Sequence, residues 1–160
     1  MTLFDLFSKR RKFLPLYDQV WALVEPHVSI KADAADDIAH RLACFYYACV
    51  VYSLVYQAGV AVGMSSSSAF SVTRIQLAKY PFDEALRARV DTVFSADATE
   101  RERDFADQLQ LGMQRIVIGI KSGQNADSLE VASELATIEQ LFLAQDFASH
   151  GIYPPLSVEA

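Results

Sequence analysis

Only two of the 160 residues are cysteine, six are glycine and one is tryptophan. Two thiols, Cys44 and Cys49, do not make a disulfide framework. Within one helix a separation of five residues turns their side chains apart by roughly 140°, so no bridge between them is expected. Buried reduced thiols fit a reducing compartment. The scarcity of glycine removes whole classes of site. The one glycine loop beside a lysine, KSGQN, lacks the spacing of a phosphate-binding loop. The run of four serines at 65–68 lacks the flanking glycines of a nucleophile elbow. It reads as a loop that supplies a cap to the next helix. Strand alternation of useful length is missing, and so is any internal repeat. RIVIGI, 115–120, is the best strand candidate, but it continues the helical stripe that precedes it.

The longest absence is of charge. ACFYYACVVYSLVYQAGVAV, residues 43–62, carries none. About 20 apolar residues suffice to span a bilayer, so length alone permits a membrane helix. Leu42, Phe45, Val50, Val51, Leu54, Val55, Val60 and Val62 would each favour insertion by about 0.3–0.6 kcal/mol. Against this modest sum stand Ser53, Gln57, Gly59, four tyrosines and, just past the run, Gly63. Tyrosine belongs at a membrane interface, yet Tyr46, Tyr47, Tyr52 and Tyr56 fall through the middle. Tyr46, Ser53 and Gln57 also align with Ala39 and Ala43 as a smaller, more polar strip. A helix packed among other helices can use such a strip. The expectation is a central helix that other helices cover.

What is present is helical periodicity. TLFDLF opens a short helix with Thr2 as its cap, and 16–24 forms a second with Pro15 at its start. Asp33 caps the long helix, with Asp36 and Asp37 in its first turns. Ile38, Leu42, Phe45, Cys49, Tyr52 and Tyr56 recur at spacings of four and three, a packing seam. A helix over 69–79 has Phe70, Ile75 and Leu77 as its apolar residues. Another over 82–94 carries Phe82, Leu86, Val90, Val93 and Phe94 on one face. Asp97 or Thr99 caps the next, whose stripe is Phe105, Leu109, Met113, Ile116 and Ile120. Asp127 or Ser128 caps the last, with Val131, Leu135, Ile138 and Phe142 inward and Gly151 past its end. The fold expected is an all-α, single-domain bundle of five to seven helices around the long apolar central helix. It is preceded by an amphipathic, basic segment over 1–14, spans 15–151, and is followed by an extended tail over 152–160, where Pro154 and Pro155 stop further helix.

Charge is unevenly placed. Lys9, Arg10, Arg11 and Lys12 against Asp5 leave the first twelve residues at +3, so the remainder of this −6 chain stands at −9. An acidic body opposes nonspecific binding to nucleic acid and suits a basic protein partner. The basic residues follow the apolar ones in MTLFDLFSKRRKFLP, the reverse of a secretory signal, and cytoplasmic residence is the expectation. Leu3, Phe4, Leu6 and Phe7 pack on the bundle, dock in a partner groove or rest on a membrane surface.

Chemistry-bearing residues are few. Asp36, Asp37, His40 and Cys44 share helical spacings, but a metal would need ligands from a second helix. His27 and His150 stand alone. No metal, cofactor or catalytic residue is assigned. TERERDFADQ holds the densest charge, and its acids Glu100, Glu102, Asp104 and Asp107, joined by Glu130 and Glu134, are the candidate partner-binding residues. Mixed signs at this spacing also describe a solvated face with local pairs. The function expected is a non-enzymatic protein-binding module, of the kind represented by small bacterial regulators or toxin-neutralising immunity proteins. The alternative is a ligand- or metal-binding bundle, or an enzyme, with a tyrosine-lined internal pocket. Uncovered apolar stripes leave a homodimer open.

Overall fold

A helix that carries no charge from Ala43 to its last turn is stable in water only if other elements cover it, and the fold is arranged around that need. The structure is a computed structural model and describes residues 3–28, 37–80, 82, 84–123 and 128–147. In chain order the helices are α1 (Leu3–Val24), α2 (Asp37–Ala61), α3 (Ser66–Leu77), α4 (Glu84–Val93), α5 (Glu100–Lys121) and α6 (Ser128–Ala144), with a short 3-10 turn at Glu25–His27 after α1. No strand occurs among the described residues. The all-α bundle expected from periodicity is the fold. α2 packs against α1, α3, α4 and α5 and reaches α6 through Phe45 and Phe142. It is long and apolar enough to cross a membrane by length and composition, yet 67% of that window is buried inside the chain. The polar strip of α2 finds a use: Ser53 Oγ and Gln57 Nε2 donate to Gln110 Oε1 of α5 at 2.7 and 2.8 Å.

Aromatic rings fill the two sides of α2. Phe45 and Tyr46 join Phe105, Phe142 and Phe147 on the side of α5 and α6. Tyr47 meets Trp21, Tyr80 and Phe82 on the opposite side. Small residues set the closest helix contacts. A Cβ on Gly59 would sit 3.2 Å from the Ala69 Cβ, so α3 lies against α2 where both side chains are minimal. At Gly112 of α5 a Cβ would fall 2.6 Å from Ile138 Cδ1 of α6.

Three expectations are revised. Pro15 does not open a second helix, because α1 runs unbroken through it. A proline inside a helix costs about 3 kcal/mol through its lost N–H and ring clash. Here the ring is exposed, and Phe13, Leu16, Tyr17, Val20 and Val24 are buried on both sides of it, which offsets that cost. The helix expected over 69–79 runs Ser66–Leu77, and its apolar residues divide between two faces. Ala69, Thr73 and Leu77 face the core, whereas Phe70 and Ile75 face out. The close approach at Gly59 selects the small residue, not the large one. Serines 66–68 lie inside α3, and only Ser65 acts as the cap, accepting from the Ser68 N–H at 3.2 Å. The expected Asp33, Asp36 and Asp127 positions, Thr2, Gly151 and the tail from 152 lie outside the described residues, as do the side chains of Leu3, Phe4, Leu6 and Phe7.

The Gly59 contact yields a direct check. Gly59→Leu should lower unfolding free energy by about 2–3 kcal/mol through overpacking. Gly119→Ala, where a Cβ meets nothing within 4 Å, should raise it by roughly 0.5–1 kcal/mol. Urea unfolding followed by circular dichroism reads both.

Candidate functional site

The start of α5 is built by a reciprocal cap. Thr99 Oγ1 accepts from the Glu102 N–H at 3.2 Å, and Glu102 Oε1 accepts from the Thr99 N–H at 3.1 Å. This is the capping box that Thr-x-x-Glu encodes. It draws the Glu102 side chain inward, to 0% exposure. Its other oxygen, Oε2, lies 2.9 Å from Arg89 Nη2 of α4. The approach is off the hydrogen-bonding direction and leaves Glu102 Oε2 without a hydrogen bond; Arg89 Nε is also without one. The contact is an ionic one that ties α4 to α5 beside Cys49. Burial pushes the Cys49 thiol well above its ordinary pKa; the Glu102 charge pushes the same way and Arg89 opposes it. Glu102 is therefore a structural residue. It is removed from the expected partner-binding set because a side chain closed into a cap and an ion pair cannot reach a partner.

The other acids of the helix behave differently. Glu100, Asp104 and Asp107 are exposed. The arginines among them are directed elsewhere: Arg101 Nη1 donates to the Gln145 carbonyl and Arg103 Nη2 to the Ala98 carbonyl, each at 3.2 Å. The local pairs expected between acids and arginines do not form among the described residues. With about 100° of turn per residue, Glu100, Asp104, Asp107, Leu111 and Ile118 fall on one line, opposite the buried stripe. Leu111 is 44% exposed and Ile118 51% exposed. The outward line is thus acidic in its first half and apolar in its second.

Glu130 and Glu134 of α6 do not extend that line. Glu130 is exposed, but Glu134 turns to the α5–α6 seam and accepts from Arg115 Nη1 at 2.8 Å. Leu111 and Ile118 are surface residues absent from the expected partner-binding set. The signal was available: once Phe105, Leu109, Met113 and Ile116 define the inner face, positions 111 and 118 must point away. Arg89 carried no local signal, because its partner lies on another helix.

The tyrosines of α2 pack ring against ring: Tyr46 against Phe105, Tyr47 against Tyr80 and Tyr52 against Phe94. Tyr17, Tyr46 and Tyr52 have pKa values raised mainly by burial among apolar neighbours, and Tyr47 is pushed up to about 12, first by burial and then by Tyr80 and Glu25. These hydroxyls stay protonated at any physiological pH. A surface cleft of about 440 Å³ does lie beside Tyr52, Tyr56, Phe70, Phe94, Ser66 and Gln110. Among the described residues no three His, Cys, Asp or Glu side chains converge on a metal position. His40 Nε2 and Cys44 Sγ approach to 3.7 Å on α2, and His27 is exposed in the 3-10 turn. His150 lies outside the described residues.

Comparison with protein-family models, with curated proteins and with solved structures returned no match. The surface itself is then the ground for a functional reading.

Removing the Glu102 carboxylate should cost about 3 kcal/mol, because the buried Arg89 edge loses its counter-charge and α5 its cap. Glu102→Ala is expected to lower the urea midpoint accordingly, while Asp104→Ala leaves the midpoint unchanged within error. Thiol labelling at pH 8 should modify Cys44 in the folded protein and Cys49 only after denaturant is added, as peptide mass mapping would record.

Proposed function

We propose that the protein is a non-enzymatic binding module. Its partner is a protein whose surface pairs basic side chains with an apolar patch, and the docking face is the outward line of α5. The observation that carries this reading is the division of charge on that helix. Arg101 and Arg103 are engaged by backbone carbonyls, so Glu100, Asp104 and Asp107 present their charge outward. Leu111 and Ile118 continue the same line as exposed apolar residues. An acidic segment steers a basic partner and fixes register, whereas apolar anchors supply affinity. An interface of both kinds is more specific than a solvated charged face alone.

A photo-cross-linking residue placed at Asp107, with a control at the exposed Ala88 of α4, tests the reading in an extract of the source cells. The expected result is a discrete protein adduct from position 107 and none from position 88. Charge reversal at Asp104 and Asp107 together, or Leu111→Glu, should weaken that adduct by about tenfold, equivalent to about 1.4 kcal/mol. Adducts of equal yield from both positions, or an adduct indifferent to these substitutions, would contradict it.

A second reading is supported by the cleft beside Tyr56. Its aromatic rings, serine hydroxyls and Gln110 suit a small planar ligand. Native mass spectrometry of the purified protein distinguishes this reading by a retained small molecule that Tyr56→Ala releases.

A further inference from the structure

We propose that the place where α2 and α5 finish beside the middle of α1 binds a small anionic amphiphile: a molecule with one carboxylate head and a short hydrocarbon body. This goes beyond the docking face on α5 and does not depend on it. A cavity of about 410 Å³ lies there, lined chiefly by Lys12, Leu16, Val60, Val62, Gly63 and Lys121. Such a volume falls within the range of small-molecule sites.

The floor is apolar for a reason that belongs to α2. That helix is hydrophobic to its last turn, but the covering helices do not fully close over its end. Val60 is left 40% exposed, and Leu16 of α1 forms the adjoining wall. Burying such surface under a hydrocarbon body is favourable at about 25 cal/mol per Å².

The rim is cationic and comes from two other helices. Lys121 Nζ of α5 donates to the Ala61 carbonyl, which holds an ammonium over the last turn of α2. An ammonium has three donors, so this bond leaves two for a ligand. Lys12 stands on the α1 side and is exposed. No acidic residue lines the cavity. The lysines are also not needed to satisfy most of the helix terminus. The carbonyls of Ala58, Gly59 and Val60 already accept from the N–H groups of Val62, Met64 and Gly63. Gly63, at φ +87°, makes that closing turn. Two cations above an apolar floor match a carboxylate attached to a hydrocarbon. A bare anion would forgo the floor, and a neutral alcohol would forgo the rim.

Octanoate titrated into the isotope-labelled full chain tests this by amide chemical shifts. Saturable shifts are expected at Val62, Gly63 and Lys121. Acetate and octanol should each bind about tenfold more weakly, or less, and Lys12→Glu should weaken octanoate by about tenfold. Val60→Asp, a change at a partly exposed position, provides a second variant and should abolish the shifts. The proposal is overturned if octanol binds as tightly as octanoate, if shifts fail to saturate or arise elsewhere, or if both variants bind unchanged. Sedimentation with vesicles containing phosphatidylglycerol, in the absence of octanoate shifts, would overturn it in favour of a membrane surface.

Discussion

The burial of α2 by the other helices of the same chain is the constraint on which the structure depends. Tyr47, Tyr52 and Leu54 would each face lipid or water if α2 stood alone. Instead Trp21, Tyr80 and Phe82 meet Tyr47, Phe94 stacks on Tyr52 at 4.1 Å, and Leu54 is wholly buried. The polar atoms of the helix obey the same requirement. A buried hydroxyl without a partner would cost about 1–3 kcal/mol, and Ser53 avoids that through Gln110. The small residues Gly59 and Ala69 admit α3 close to the axis. The end of α2 is where this cover thins, and the cationic cavity occupies that place.

Charged residues divide into those that hold the fold and those that remain on its surface. Glu102 closes a cap and faces Arg89. Arg101 binds the Gln145 carbonyl just past α6, and Arg103 the Ala98 carbonyl just before α5. Glu134 joins Arg115 across the α5–α6 seam. Only after these uses are taken into account do Glu100, Asp104 and Asp107 stand out. A stretch that looks self-neutralising in one dimension is acidic outward in three. The opposite end of α5 carries Lys121 over α2, so the helix presents different chemistry at its two ends.

The legible part of the fold was the part governed by one-dimensional periodicity. The inner stripes of α5 and α6 and the helical state of RIVIGI follow from spacing alone, whereas spacing left the cap of α5 open between Asp97 and Thr99. The inward face of α3 was not legible, because Phe70, Ile75 and Leu77 share no single face and the contact at Gly59 demands the small Ala69. Pro15 was read as a boundary because its local cost is real; burial of residues on both sides outweighs it. The candidate site was legible in part. Glu100, Asp104 and Asp107 face out, and Glu102 was misplaced because a capping acid and a surface acid look alike until the partner helix α4 is in position. Arg89 and Lys121 act on distant elements, and no spacing rule could pair them.

Amide hydrogen exchange in detergent-free buffer tests the central claim most directly. If α2 is enclosed by its own chain, the amides of 45–58 should exchange only through global unfolding and be among the slowest in the protein, with no change when detergent micelles are added. Fast exchange across 45–58 in buffer, with protection appearing only in micelles, would mean that lipid rather than the surrounding helices covers this segment.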